Sequence, residues 1–209
     1  MPGFPLPLRN ALAELTLAAF DDDIAGAALA WLAAPVEKPS PSAGTRLATV
    51  HLVEPDGDRL LAVHAGHTAA VAAHAARARR AVHAFDRTRA GAGVDRACRV
   101  GAALWNERLF FEVHEVLEVV WRSATGAVRE ALQGVIQIAV AFHHLAHGNV
   151  RGARSLLVEG RRRLAGVAPD TLPVLDVGRL LDDTGRWEDA LAAHDVPPDA
   201  PPRLGTHVG

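Results

Sequence analysis

One histidine and two glutamates share one face of a single predicted helix over residues 108–123. At about 100° per residue, His114, Glu115 and Glu118 fall within one narrow arc, and the rest of the circumference is almost wholly apolar. The i,i+4 spacing of His114 and Glu118 lets both side chains bind one divalent metal ion, and mixed nitrogen and oxygen ligands suit iron, manganese or zinc. Imidazole and carboxylate groups also serve as general bases. His114, Glu115 and Glu118 are therefore the candidate catalytic residues, with His114 and Glu118 as candidate metal ligands.

A second polar line runs along the next predicted helix, over residues 127–147. Gln133, Gln137 and His144 lie on one side of this helix, opposite an apolar arc. If it folds back as a hairpin on helix 108–123, the two glutamines come level with the histidine and carboxylates of that helix. The candidate ligand-binding or orienting residues are Arg122, Gln133, Gln137 and His144.

The polar cluster between these two helices has three interpretations that the sequence leaves open. In the first, it is the site of a small ligand- or metal-binding protein with a hydrolase-like activity. In the second, the stripes face water, and Glu118 and Arg122 form an ordinary i,i+4 ion pair of about 0.3–0.5 kcal/mol. In the third, the cluster is a buried hydrogen-bond network in a non-enzymatic structural or interaction module. A buried network predicts a large loss of stability for Glu118→Ala, whereas a functional site predicts access from solvent.

The elements that position these residues are mainly helices. Hydrophobic periodicity predicts helices over about residues 6–20, 21–34, 68–89, 94–106, 108–123, 127–147, 150–165, 175–184 and 186–193. Short connections between several of them favour antiparallel neighbours in a bundle. The sequence therefore predicts a mainly α fold with an N-terminal extension over residues 1–92, a helical bundle domain over residues 93–194 and a flexible tail over residues 195–209.

One β element is predicted, a small hairpin over residues 46–64. Two short β-like runs, residues 46–53 and 59–64, flank the segment Glu54-Pro55-Asp56-Gly57. The proline and the Asp-Gly pair of this segment favour a tight turn. A lone hairpin is only marginally stable, so we expect it to pack on the rest of the N-terminal extension.

Composition places the chain among globular proteins. It has 209 residues, of which 49% are hydrophobic and 22% are charged, and these values exclude a disordered chain. The single cysteine, Cys98, excludes a disulfide framework and a cysteine-cluster metal site. The sequence has no run of about 18 apolar residues and no signal-peptide pattern. We therefore expect no membrane partner and a cytoplasmic location.

Charge is unevenly distributed along the chain. Residues 66–165 carry 15 basic and 8 acidic side chains, whereas the segments on both sides are acidic. A basic middle suits an anionic partner, but no nucleic-acid recognition motif is present and the pI of 6.6 is low for a nucleic-acid-binding domain. We therefore expect no nucleic-acid partner. The alanine-rich helix over residues 68–89 offers a surface on which a homo-oligomer could form.

The segment around the polar cluster resembles a known family. Residues 110–122 (FFEVHEVLEVVWR), residues 132–137 (LQGVIQ) and the turn Gly148-Asn149-x-x-Gly152-Ala153 are similar, in order, to the pattern of the domain of unknown function 309 family. The resemblance extends over about residues 95–193 and implies a compact all-helical bundle with no assigned biochemical role. The signature positions that it implies are His114, Glu115, Glu118, Trp121, Arg122, Gln133 and one of His143 or His144. The spacing to Gly148 slightly favours His144, and both histidines stay open.

Overall fold

The computed structural model describes residues 3–56, 59–193 and 200–207. The chain divides into two compact units, Pro2–Phe85 and Asp86–Gly209. The regular elements of the described residues are all helices, so the predicted mainly α fold is confirmed. Within the same described ranges, no helix has the length and apolar character needed to cross a membrane.

The N-terminal unit contains the helices α1 (Leu6–Ala18), α2 (Asp23–Ala33), α3 (Pro41–Thr49) and α4 (Thr68–Ala84). Helix α2 packs against each of the other three. It begins where the Asp22 carboxylate accepts a hydrogen bond from the Ile24 backbone N–H (2.8 Å), which satisfies one of the unpaired donors of the first helical turn. Leucine and alanine side chains fill the core of the unit, and the rings of Phe20 and Phe85 meet edge to face, with 5.2 Å between their centroids.

The predicted β-hairpin over residues 46–64 is wrong. The first part of that range belongs to α3, which starts where the Ser40 hydroxyl accepts a backbone hydrogen bond (3.3 Å) and a proline occupies the first helical turn. Among the described residues of this segment, the antiparallel pairing that remains is the bridge between Val53 and Leu60. Gly57, in the predicted turn, lies outside the described residues. A strong helix start outweighed a short alternating pattern, because an isolated two-stranded hairpin has little stability of its own.

The C-terminal unit contains the helices α5 (Gly93–Asn106), α6 (Phe110–Trp121), α7 (Gly126–Ala146), α8 (Val150–Ala165) and α9 (Val177–Ala193). Each helix packs against the next one along the chain. Aromatic side chains fill the core between them. The ring of Phe142 lies 5.7 Å from Trp105, 5.4 Å from Phe110 and 5.1 Å from Trp187, measured between centroids.

Helices α7 and α8 cross at two glycines, Gly134 and Gly160. A Cβ atom added at Gly160 would lie 2.8 Å from the Gly134 carbonyl oxygen, and one added at Gly134 would lie 2.9 Å from the Gly160 carbonyl oxygen. The two backbones therefore touch, which only glycine permits at both positions. This contact sets the rotation of α7 about its axis and hence the direction in which its polar side chains point.

Helix α9 is continuous through Gly185, where the sequence predicts a break between two helices. A Cβ atom at Gly185 would lie 3.2 Å from the guanidinium group of Arg161 on α8. That guanidinium donates hydrogen bonds to Thr184 Oγ1 (2.9 Å) and Glu188 Oε2 (2.5 Å). The glycine therefore makes room for an arginine between α8 and α9, and does not end the helix.

The C-terminal residues 200–207 lie against the C-terminal unit, in a range where the sequence predicts a flexible tail. Trp105 Nε1 donates a hydrogen bond to the Pro202 carbonyl oxygen (2.7 Å). The Asn106 side chain bonds both the N–H (3.0 Å) and the carbonyl oxygen (3.1 Å) of Leu204. A proline-rich segment has no periodicity from which such contacts can be inferred, since the partners lie almost 100 residues earlier in the chain.

Candidate functional site

Helix α6 presents the predicted polar stripe on the side away from the core. The buried face of α6 includes Phe110, Val113 and Leu117. Because these buried positions recur every three to four residues, they form one face of the helix. The polar stripe lies on the other face and points outward. The side chains of His114, Glu115 and Glu118 are 29%, 37% and 30% exposed, so the stripe is half-buried and open to water.

The two nitrogens of His114 face two different carboxylates. Nδ1 lies 3.0 Å from Glu115 Oε1, and Nε2 lies 3.7 Å from Glu118 Oε2. The other oxygen of Glu118, Oε1, is 3.2 Å from Nη2 of Arg122. One ligand atom from each of His114, Glu115 and Glu118 can be chosen so that all three lie within 4.8 Å of one another.

This arrangement orients a histidine and a carboxylate towards one point. When His114 donates its Nδ1 proton to Glu115, the lone pair of the ring lies on Nε2, which faces Glu118. Two ligand atoms that are each about 2.1 Å from one ion are at most about 4.2 Å apart, and the 3.7 Å between Nε2 and Oε2 satisfies this limit. A histidine held by a carboxylate at its second nitrogen is the usual environment of a metal-binding imidazole.

The glutamines of α7 do not join the cluster as expected. Gln137 faces α8, because a Cβ atom at Gly160 would lie 3.1 Å from its Cβ, and its Oε1 is buried with no hydrogen-bond partner among the described residues. Gln133 is half-buried on α7, and no hydrogen bond joins it to His114 or the glutamates in the described part of the chain. The sequence gives the level of these residues along the helix axis, but the rotation of α7 depends on its contact with α8.

A different α7 residue, Arg129, contacts the end of α6. Its guanidinium lies over the Trp121 ring, 3.8 Å from the ring centroid, and donates hydrogen bonds to the carbonyl oxygens of Trp121 (2.8 Å) and Ala124 (3.3 Å). It therefore adds a charged donor to carbonyl oxygens at the end of α6 and in the turn that follows. The neighbouring Glu130 instead forms an ion pair with Arg163 of α8 (2.6 Å).

His144 lies in the last turn of α7 and contacts the loop that leads to α8. Asn149 Oδ1 accepts the Gly152 backbone N–H (3.0 Å), so the Asn149 amide nitrogen faces His144 Nδ1 (3.0 Å) and donates to it. His143 is the histidine on the side of α6: its ring lies 6.0 Å from that of Phe111, which in turn lies 6.1 Å from the ring of the cluster histidine. The sequence therefore predicted that one of the two adjacent histidines lies towards α6, but it did not predict which one.

Glu112 is a further acidic residue of α6 and is not among the residues predicted for the site. It is only 2% exposed and lies about 200° from His114 around the helix, so its carboxylate points into the protein and away from the stripe. The sequence feature that could have identified Glu112 is its position as a lone acidic residue on an apolar face of the helix. Because a buried carboxylate requires polar partners, we assign the Glu112 carboxylate to contacts with polar groups inside the bundle.

Comparison with known proteins gives a family match. Residues 98–156 match the family described as "Domain of unknown function (DUF309)", which confirms the resemblance drawn from the sequence over that range. The matched range includes all of α6 and α7 and therefore the whole cluster of His114, Glu115 and Glu118. No curated protein and no solved structure matches the chain.

Proposed function

We propose that residues 98–156, which match the domain of unknown function 309 family, bind a divalent transition-metal ion on the exposed side of α6. His114 Nε2 and Glu118 Oε2 are the two ligands, and Glu115 orients the imidazole through Nδ1. The observation that carries the proposal is the convergence of these three groups within 4.8 Å on one helix.

The surrounding charges support a cation at this point. Glu115 and Glu118 bring two negative charges to one imidazole, and Arg122 is bound to the Glu118 oxygen that does not face His114. A nitrogen ligand with carboxylate oxygens suits zinc, manganese or iron better than calcium or magnesium. An ion with so few protein ligands keeps coordination positions for water or a substrate oxygen, as catalytic zinc sites do. Hydrolytic reactions are therefore the class of activity to screen first.

A purely structural role for the cluster has less support. A buried network requires closure from solvent, but these side chains are about a third exposed. Ion pairs at such exposure contribute about 0–1 kcal/mol to the free energy of unfolding. Removal of Glu118 should therefore change metal binding far more than stability.

Calorimetric titration of the metal-free chain with Zn²⁺ and with Mn²⁺ tests the proposal. We expect one equivalent of metal bound by the unmodified chain and at least about tenfold weaker binding in Glu118→Gln and in His114→Ala. Glu130→Gln is the matched control, since Glu130 is also a helical glutamate that is paired with an arginine. The proposal fails if the unmodified chain binds neither metal, or if Glu130→Gln weakens binding as much as Glu118→Gln does.

The variant Glu115→Gln tests how the site is assembled. The amide oxygen of glutamine still accepts the Nδ1 proton of His114 but carries no charge. We expect an intermediate loss of metal affinity, smaller than that of Glu118→Gln. If Glu115→Gln abolishes binding while Glu118→Gln does not, Glu115 is a direct ligand and the assignment of the two glutamates is reversed.

A further inference from the structure

A cleft with a volume of about 540 Å³ opens on the surface of the N-terminal unit. It lies between the end of α2, the linker that follows this helix and the start of α4, and its walls include Trp31, Leu32 and Val71. Small-molecule sites in proteins have volumes of about 300–1,000 Å³ and mostly apolar walls. The cleft therefore has the size and the lining of a site for a small ligand.

Two polar donors in the walls of the cleft are already bonded within the protein. Trp31 Nε1 donates a hydrogen bond to the Glu37 carbonyl oxygen (2.6 Å), and the Thr68 hydroxyl donates one to the Ala65 carbonyl oxygen (2.8 Å). Because its N–H group is occupied, the Trp31 indole offers a ligand its apolar ring. An aromatic ligand suits this wall, since aromatic rings pack favourably on one another.

The linker after α2 forms a wall that is held in place without a ligand. The hydrogen bond from Trp31 to the Glu37 carbonyl ties the linker to α2, so little ordering is needed when a ligand binds. Val36 of this linker lines the cleft and is 89% exposed. An apolar ligand would remove part of this valine surface from water, which favours binding.

Charged side chains lie at the mouth of the cleft. Lys38 and Arg59 are exposed lining residues, and among the described residues the carboxylate in the lining is that of Glu37. Arg59 also lies 3.6 Å from an Asp56 carboxylate oxygen, but a guanidinium has five N–H donors and can bind a second oxyanion. The lining residues therefore carry more positive than negative charge, which favours a ligand with a negatively charged end.

We propose that this cleft binds a small aromatic carboxylate. The ring of the ligand packs on Trp31 and Leu32, and its carboxylate lies at the mouth beside Lys38 and Arg59. The cleft belongs to the N-terminal unit, whereas the cluster on α6 belongs to the C-terminal unit. The two sites are therefore independent, and the ligand site does not rest on the proposed function of α6.

Calorimetric titration of the full chain with 2-naphthoate tests the proposal. We expect one equivalent to bind with a dissociation constant of about 1 mM or tighter. Thr68→Phe places a larger side chain in the wall of the cleft and should weaken binding at least about tenfold. Ala69→Phe is the matched control, because Ala69 is also exposed in the first turn of α4 but does not line the cleft, and it should leave binding unchanged.

The charge of the ligand is tested with 2-naphthylmethylammonium, which has a similar ring system and a positive end. This cation should bind more weakly than 2-naphthoate. Lys38→Gln should weaken 2-naphthoate binding about two- to fivefold, as expected for an exposed ion pair. Arg79→Gln removes a cation of the same unit that does not line the cleft, and it should have no effect.

A second measurement locates the bound ligand. Lys38 is the only lysine in the sequence, so reductive methylation with ¹³C-formaldehyde gives one lysine signal, and methylation keeps its positive charge. This signal should shift on addition of 2-naphthoate in the unmodified chain and in Ala69→Phe, but not in Thr68→Phe. The circular dichroism and melting temperature of the two phenylalanine variants check that both are folded.

Several results would overturn the proposal. They are the absence of 2-naphthoate binding, equal losses in Thr68→Phe and Ala69→Phe, and binding of the cation that is as tight as that of the carboxylate. Sedimentation analysis covers a different occupant. A dimer of the unmodified chain that dissociates in Thr68→Phe but not in Ala69→Phe would assign the cleft to a second copy of the chain.

Discussion

His74 makes the stability of the N-terminal unit depend on pH. It lies on α4, is only 5% exposed, and contacts the Phe4 ring edge to face, with 5.8 Å between centroids. Burial, together with the positive charge of Arg77, lowers the pKa of His74 from 6.5 to about 3. The folded unit therefore holds this imidazole in its neutral form throughout the physiological range.

The direction of the effect follows from the two pKa values of His74. In the unfolded chain the imidazole takes up a proton as the pH falls below about 6.5, whereas in the folded chain it does so only near pH 3. Its contribution to stability is thus complete above the unfolded pKa and is lost as the pH falls towards the folded pKa. Each pH unit in this window lowers the free energy of unfolding by about 1.4 kcal/mol, so the loss between pH 7 and pH 5 is about 2 kcal/mol.

Urea unfolding at pH 7, 6 and 5 measures this loss, with hydrogen exchange of α4 to assign it to the N-terminal unit. In His74→Leu the buried side chain no longer titrates, so this variant should lose about 2 kcal/mol less than the unmodified chain over the same interval. His83→Gln removes an exposed histidine of the same helix and should keep the pH dependence of the unmodified chain. The reasoning is refuted if His74→Leu and the unmodified chain show the same pH dependence.

Two further predictions concern close contacts in the fold. Gly160→Ala should lower the free energy of unfolding by about 1–3 kcal/mol in urea titrations, because the new Cβ would lie 2.8 Å from the Gly134 carbonyl oxygen. Gly26→Ala is the control, because a Cβ at this position meets nothing within 4 Å, and it should raise the free energy of unfolding by about 0.5–1 kcal/mol. Equal effects of the two substitutions would contradict the close approach of α7 and α8 at their glycines. Trp105→Phe removes the 2.7 Å hydrogen bond to the Pro202 carbonyl oxygen and should speed amide exchange in the C-terminal segment; unchanged exchange would show that this bond does not hold the segment.

The helices of the C-terminal unit and the polar stripe of α6 could be predicted from the sequence. Both depend on local periodicity: the apolar positions of α6 recur every three to four residues, and His114 and Glu118 necessarily share the other face. The same periodicity does not predict where the glutamines of α7 point, because it gives no information on the rotation of α7 about its own axis. That rotation depends on the approach of Gly134 to Gly160, a contact between helices that no local pattern reveals.

The remaining differences between sequence and structure also arise from contacts between distant residues. Gly185 carries a local signal for a helix end, but the packing of Arg161 against it keeps α9 continuous. The segment before α4 carries a local signal for two strands, but Ser40 and the proline after it begin a helix there. In each case, one tertiary or capping interaction outweighed a short pattern of weak propensities.

The most direct test of the metal site is the long-range ¹H–¹⁵N spectrum of the histidine side chains, recorded before and after addition of one equivalent of Zn²⁺. We predict a large change in the chemical shift of His114 Nε2, with the proton kept on Nδ1 by the hydrogen bond to Glu115. The change should be absent in Glu118→Gln. A His114 signal that does not move at saturating Zn²⁺, while other histidines respond, would contradict the account.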